Sequence, residues 1–202
     1  MKKSDPTKPD PSKPEQNKRD QIIEHVYSVF YQHGFHAAGL DLLLAGSGIS
    51  KRTLYKYFDS KEALIAATVQ HYAGLFRAEL EARMRIRPKM KALDKVLAAF
   101  DAQEALVCRH GFNGCFALKA LLEYDQNQPE IWQATQHVFA DLMAFFIQQS
   151  RALKHPNPET LACQIEILFR GAVLSAQSSK SKQPFEWARQ AVRQLCQRSS
   201  EH

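Results

Sequence analysis

Lys51, Arg52, Thr53, Tyr55, Lys56, Tyr57 and Lys61 crowd into eleven positions of the chain. Ammonium and guanidinium groups reach phosphate oxygens or guanine acceptors, and Thr and Tyr reach phosphates or thymine methyls. If residues 50–58 are helical, Leu54 and Phe58 stand at i and i+4 and turn inward. The cations, the hydroxyl and the two phenols are then left for the other faces. Such a surface suits the major groove of a duplex.

No comparable grouping supports catalysis. The eight histidines (25, 33, 36, 71, 110, 137, 155 and 202) form neither HExxH nor ExxH, and His33 and His36 straddle Gly34. No nucleophile–base pair and no phosphate loop is legible. The four cysteines at 108, 115, 163 and 196 contain no CxxC, against a zinc ribbon or a thioredoxin-type site, and a reducing compartment is expected. The expectation is a chain that is not an enzyme and needs no metal and no cofactor.

The elements that must position the cationic set are short. Leu40 to Ala45 reads as one helix, closed by Gly46 and Gly48. Ser50 to Phe58 reads as the next, with Ser50 as N-cap and Ile49 and Leu54 at the spacing of a hydrophobic staple. A short helix, a tight glycine turn and a second short helix form the helix-turn-helix pattern. Before them, Ile22, Val26, Val29 and Phe30 mark a helix with Asp20 at its start and Gly34 as its stop. After them a long helix opens at Ser60.

Beyond residue 75 the period stays helical. Leu93 to Val107, Cys115 to Leu122, Ile131 to Gln149, Leu161 to Ala176 and Phe185 to Leu195 each keep an apolar face, and no alternating strand pattern or hairpin signal appears. The fold class is all-α with about nine helices. At 202 residues with 45% hydrophobic content the chain can bury a sizeable core. No run of about 18 apolar residues occurs, and the N-terminus lacks the apolar stretch of a signal peptide. A soluble, cytoplasmic protein with no membrane partner is expected. The net charge of +6 lies within the first 120 residues; residues 121–202 hold eight charges of each sign. Residues 1–17, with four prolines, read as a disordered arm, either a solubilising tail or a carrier of Lys2, Lys3, Lys8 and Lys13 to phosphates.

Residues 19–72 resemble the tetracycline-repressor (TetR) family of bacterial transcriptional regulators. The resemblance is carried by Gly34-Phe35, by Leu40-Asp41 to Leu43, by the unbroken run from Gly48 to Phe58 (GISKRTLYKYF), and by Ser60 to Leu64 (SKEAL). It implies a helix-turn-helix head at 18–63 and a helical ligand-binding and dimerisation bundle at 64–202. It also implies a homodimer on a palindromic double-stranded DNA operator, released by a small-molecule effector. By position, Lys51 and Arg52 match base-reading sites, Thr53 and Tyr57 phosphate contacts, and Tyr55 a backbone or thymine-methyl contact. Lys56 fits either role, and Lys61 matches a phosphate contact at a helix N-terminus. The chain departs from the pattern at Ala38-Gly39, where hydroxyl residues usually cap the second helix.

The resemblance further implies that the last two helices form the dimer seam, where the small residues of Phe169 to Ala176 permit close approach. The middle helices would enclose a ligand pocket walled by Phe112, Cys115, Phe116, Trp132, Phe139 and Met143, with Glu123 as a polar handle. Cys115 opens a helix, a place that lowers a thiol pKa, so a thiol- or electrophile-sensing repressor is the alternative to plain burial. The run Arg83, Arg85, Arg87, Lys89, Lys91 and Lys95 reads as a solvated connector or as a phosphate-attracting patch near the DNA head.

Overall fold

The computed structural model describes residues 18–87 and 89–197; the expected 1–17 arm lies outside them. Nine α-helices and no strand occur among the described residues: α1 (Lys18–His33), α2 (Leu40–Leu44), α3 (Lys51–Tyr57), α4 (Lys61–Ile86), α5 (Ala92–Arg109), α6 (Phe116–Glu123), α7 (Pro129–Ala152), α8 (Pro158–Ser179) and α9 (Gln183–Gln197).

Local chemistry sets several of the boundaries. Gly34 ends α1 at φ +80°, and its N–H donates to the Phe30 carbonyl at 2.9 Å, the left-handed stop that glycine adopts without steric cost. Ser50 caps α3 by accepting the Thr53 N–H at 3.0 Å, and Ser60 caps α4 by accepting that of Ala63 at 2.9 Å. Pro129 and Pro158 open α7 and α8, where a missing N–H loses nothing. The departure at Ala38-Gly39 is visible: Gly39 is the N-cap of α2 and offers no side-chain cap.

The head packs α1, α2 and α3 around Ile22, Val26, Phe30, Leu43, Ile49, Leu54 and Phe58, all buried. Helix α4 starts in the head and continues without a break through the expected boundary at 63/64. It packs against α1 near its start and against α5, α6 and α7 farther on, while α8 and α9 pair on each other. At 1.5 Å per residue, Arg83 lies roughly 33 Å along the helix axis from Lys61. The basic run of residues 83–95 is therefore at the far end of α4 and not beside the head; a long helix carries it away. Arg83 there is held by Glu79.

Candidate nucleic-acid interface and cavity

Leu54 and Phe58 are buried at 2% and 4% exposure, and Ile49 beside them at 8%. Their burial turns α3 so that Lys51, Arg52, Tyr55 and Lys56 are exposed and Thr53 and Tyr57 partly so. The six side chains thus share one short rod on the surface. Two are already engaged within the head. Lys51 pairs with Asp41 of α2 at 2.7 Å, an exposed contact that water and salt weaken. The Thr53 hydroxyl lies 2.8 Å from that of Ser50. Lys61 is set apart: its ammonium donates to the Phe35 carbonyl at 2.7 Å, tying the start of α4 to the turn after α1. Leu42 and Tyr55, 40% and 48% exposed, add contact area on the same two helices.

A cavity of about 220 Å³ lies in the body, lined by parts of α4, α5, α7 and α8 and by Cys115. Phe76, Phe139, Leu142, Phe145 and Phe169 form its walls. Of the pocket residues expected from sequence, Cys115 and Phe139 line it. The other five stand elsewhere. The Phe112 carbonyl accepts from Lys180 at 3.2 Å in the loop before α6. Trp132 and Glu123 border a separate surface hollow with His36. Met143 is partly buried against the core without lining the cavity. Phe116 fills the junction between head and body, its ring 5.0 Å from those of Tyr27 and Phe35 and 5.6 Å from that of Tyr31.

Helix α6 connects the two regions. At its start Cys115 is 6% exposed. Burial pushes its thiol pKa up, and the opposing pull of the Tyr72 hydroxyl and of the Leu118 and Ala117 amides is smaller. Lys119 donates to the Tyr31 carbonyl at 3.1 Å. At the far end, the Glu123 carboxylate accepts the N–H groups of Phe35 and His36 at 3.2 and 3.3 Å. On the loop before α6, the Tyr31 hydroxyl donates to the Gly114 carbonyl, and the His110 ring stacks on Tyr31 at 4.3 Å. Contacts of α6 and of the loop before it thus reach the end of α1 and the turn that Lys61 holds.

Sequence reasoning missed Tyr72 and Gln103. Both are 1% exposed and both line the cavity, the Tyr72 hydroxyl donating to Gln103 Oε1 at 2.8 Å. The signal for Gln103 was a lone amide on the apolar face of Val96, Phe100 and Val107. Among the described residues no group of three His, Cys, Asp or Glu side chains could hold a metal, and no helix is long and apolar enough to cross a membrane.

On the outer side of the body, Ile167, Leu174 and Trp187 of α8 and α9 are 68%, 45% and 63% exposed. The small-residue stretch divides between two faces: Ala172, Val173 and Ala176 turn inward, whereas Gly171, Leu174 and Ser175 turn outward.

Two family models match the chain. Residues 22–68 match bacterial regulatory proteins of the tetR family, and residues 92–192 match the tetracyclin repressor-like C-terminal domain. The transcriptional repressor ComR of Escherichia coli is 29% identical over 172 residues, 81% of each chain. The repressor NemR of the same species is 26% identical over 189 residues, 88% of this chain and 92% of that one. A solved TetR-family regulator from Streptomyces coelicolor superposes with a TM-score of 0.79 at 22% identity, covering 91% of this chain and 96% of its own. The reduced form of E. coli NemR does so with a TM-score of 0.72 at 24% identity, covering 88% and 96%.

Proposed function

The chain belongs to the TetR family of bacterial transcriptional regulators, and on that premise we propose that it is a repressor released from its operator by a small molecule. It acts in the cytoplasm as a DNA-binding regulator and not as an enzyme. The 18–63 head binds, and the 64–202 body senses and dimerises. Lys51 and Arg52 read bases, and Thr53, Tyr55, Lys56 and Tyr57 hold phosphates or meet thymine methyls. Lys61 acts through the turn it anchors and adds positive charge at the α4 N-terminus. The exposed apolar residues of α8 and α9 support a homodimer through those helices, which sets two α3 helices about 34–36 Å apart on a palindrome.

The observation that carries ligand response is the span of α6, from Cys115 on the cavity to Glu123 on the head amides. A molecule that binds one arrangement of α6 better than the other shifts the dimer toward it, by no more than that difference in affinity. A reversible ligand is favoured over thiol modification because burial disfavours the Cys115 thiolate, the reactive form.

The test is fluorescence anisotropy of the full chain with duplex DNA from the region upstream of its own gene, across a salt series. The expected result is a linear fall of log affinity with log salt together with a preference for one palindrome. Equal affinity for unrelated duplexes rejects sequence reading. Sedimentation of Ile167→Glu together with Trp187→Glu checks the dimer face, and a variant that stays dimeric rejects it.

A further inference from the structure

We propose that the cavity takes an uncharged, amphipathic molecule whose hydrogen-bond acceptor, in the simplest case a carbonyl oxygen, receives the free N–H of Gln103. This rests on the ligand-response reading above and deepens it by naming the chemical class of the ligand.

Gln103 is 1% exposed. Its Oε1 accepts from the Tyr72 hydroxyl at 2.8 Å, while its Nε2 is buried with no hydrogen-bond partner. Buried donors in folded proteins are almost always paired, because an unpaired one has given up water and received nothing. This donor belongs to a residue that lines an apolar cavity, so an occupant can satisfy it. In the structure the Tyr72 hydroxyl donates to Oε1, and Nε2, without a partner, is left for the ligand.

The charges around the cavity select against an ionic ligand. Arg77 is the cation among the lining residues; its side chain is 65% exposed and pairs with Asp141 at 3.3 Å. Glu81, also lining, is exposed. Arg170 lies over the Phe139 ring, 4.0 Å from its centroid, and is engaged by Glu166. A carboxylate at Gln103 would therefore be buried without a free counter-ion, and an ammonium would face a donor; both are heavily disfavoured in apolar surroundings. A neutral acceptor gains the hydrogen bond without that penalty. Phe76, Phe139, Leu142, Phe145 and Phe169 then cover an aromatic or aliphatic body, and a volume of about 220 Å³ accommodates one ring with a short chain.

Three probes of matched shape test this: benzylacetone (a ketone), n-butylbenzene (a hydrocarbon) and hydrocinnamate (a carboxylate). Each is titrated into the full-length protein and into Gln103→Met at neutral pH, with binding read by ligand-observed NMR. The expected result is that Gln103→Met weakens the ketone about three- to tenfold, the yield of one neutral hydrogen bond, and leaves the hydrocarbon unchanged. Hydrocinnamate binds wild type at least tenfold more weakly than the ketone. If the ketone and hydrocarbon bind and the substitution affects them alike, Gln103 is not the anchor; the proposal falls while the cavity reading stands. Tighter binding of hydrocinnamate overturns the uncharged class in the same way. If none of the three binds at millimolar concentration, the proposal and the cavity reading fall together. Isotope-edited infrared on the wild type is independent of how the variant folds. The bound ketone's carbonyl band is expected below its position in hexane, and a band at the hexane position overturns the hydrogen bond.

Discussion

The α3 surface and the body cavity, the two binding surfaces proposed for this chain, are built on opposite plans. On α3 many polar groups stand in water and each is weakly held: Lys51 rests on an exposed Asp41, and Arg52 and Lys56 are open to solvent. In the cavity two polar side chains, Tyr72 and Gln103, are fully buried, and one donor of Gln103 has no partner, while the lining charges Arg77, Glu81 and Asp141 are exposed. The first plan suits a partner that is itself highly charged, whose phosphates replace water around the cations. The second suits a small apolar partner, for which one hydrogen bond in a dry site fixes orientation. Substitutions on α3 should therefore change binding without changing stability, whereas substitutions along α6 should change both.

The largest effect is expected on α3. Lys51→Ala with Arg52→Ala weakens operator binding by about a hundredfold or more, the scale of two lost base contacts. The melting temperature stays within a degree or two, because both side chains are exposed. Anisotropy and thermal scans on the same sample measure both quantities. An unchanged affinity removes the base-reading roles, and a large fall in melting temperature breaks the contrast between the two regions.

That contrast also governs what was legible in the sequence. The cues that start α3 and set its inward face are local: Ser50 three residues before Thr53 and Leu54 four before Phe58. The cavity draws residues from helices far apart in sequence. Cys115 and Phe139 were recognisable as apolar wall residues, but nothing near Tyr72 or Phe169 in the chain says that they line one cavity. The pattern of α6 gives its apolar face and not what that face touches. Phe116 and Glu123 were expected at the ligand, whereas Phe116 fills the aromatic junction and Glu123 holds the Phe35 and His36 amides. The basic run at 83–95 follows the head in sequence, yet a 26-residue helix carries it to the other end of the body.

A second effect is expected at that junction. Glu123→Ala leaves the Phe35 N–H, partly buried, and the His36 N–H without their acceptor, and lowers stability by about 1–3 kcal/mol. Operator affinity without ligand then falls, since the turn tied to Lys61 loosens, and the response to ligand shrinks. Chemical denaturation with anisotropy in parallel checks this; a stability loss with the ligand response intact would show that α6 does not carry the signal.

Acid should act on the same junction. His71 and His110 lie edge-on to the Tyr27 ring at 5.5 and 5.2 Å, and the Tyr27 hydroxyl is 3.2 Å from His110 Nε2. Burial is the main cause that lowers both imidazole pKa values, with Arg109 adding to it at His110. A base with a lowered folded pKa is protonated first in the unfolded chain. Its neutral form contributes full stability above the ordinary value of 6.5, and that contribution is lost as pH falls through it toward the folded values. The melting temperature is expected to drop between about pH 7.5 and 5.5, and His110→Gln should flatten part of that slope. A slope unchanged in both His110→Gln and His71→Gln would place the acid sensitivity outside the junction.

The smallest effect comes from α4, the rod common to both regions. Gly74 sits in its interior, exposed, and apart from its chain neighbours and the backbone of its own helix no atom lies within 4 Å of where a Cβ would stand. Alanine there restricts the unfolded chain and fits the helix, for a gain of about 0.5–1 kcal/mol, or roughly 2–4 °C per kcal/mol in melting temperature for a chain of this size. Gly114 is the opposite case: at φ +85° with the Gln177 side chain against the same position, alanine is strained and the sign reverses. Gly74 also follows Tyr72 and Ala73 of the cavity lining, so a helix that bends there to pass a signal would be stiffened by the substitution. Operator affinity without ligand should be unchanged in Gly74→Ala, and the strength of release by ligand distinguishes the two helices. Release that weakens while stability rises places the hinge in α4; release at wild-type strength leaves α6 as the element that moves.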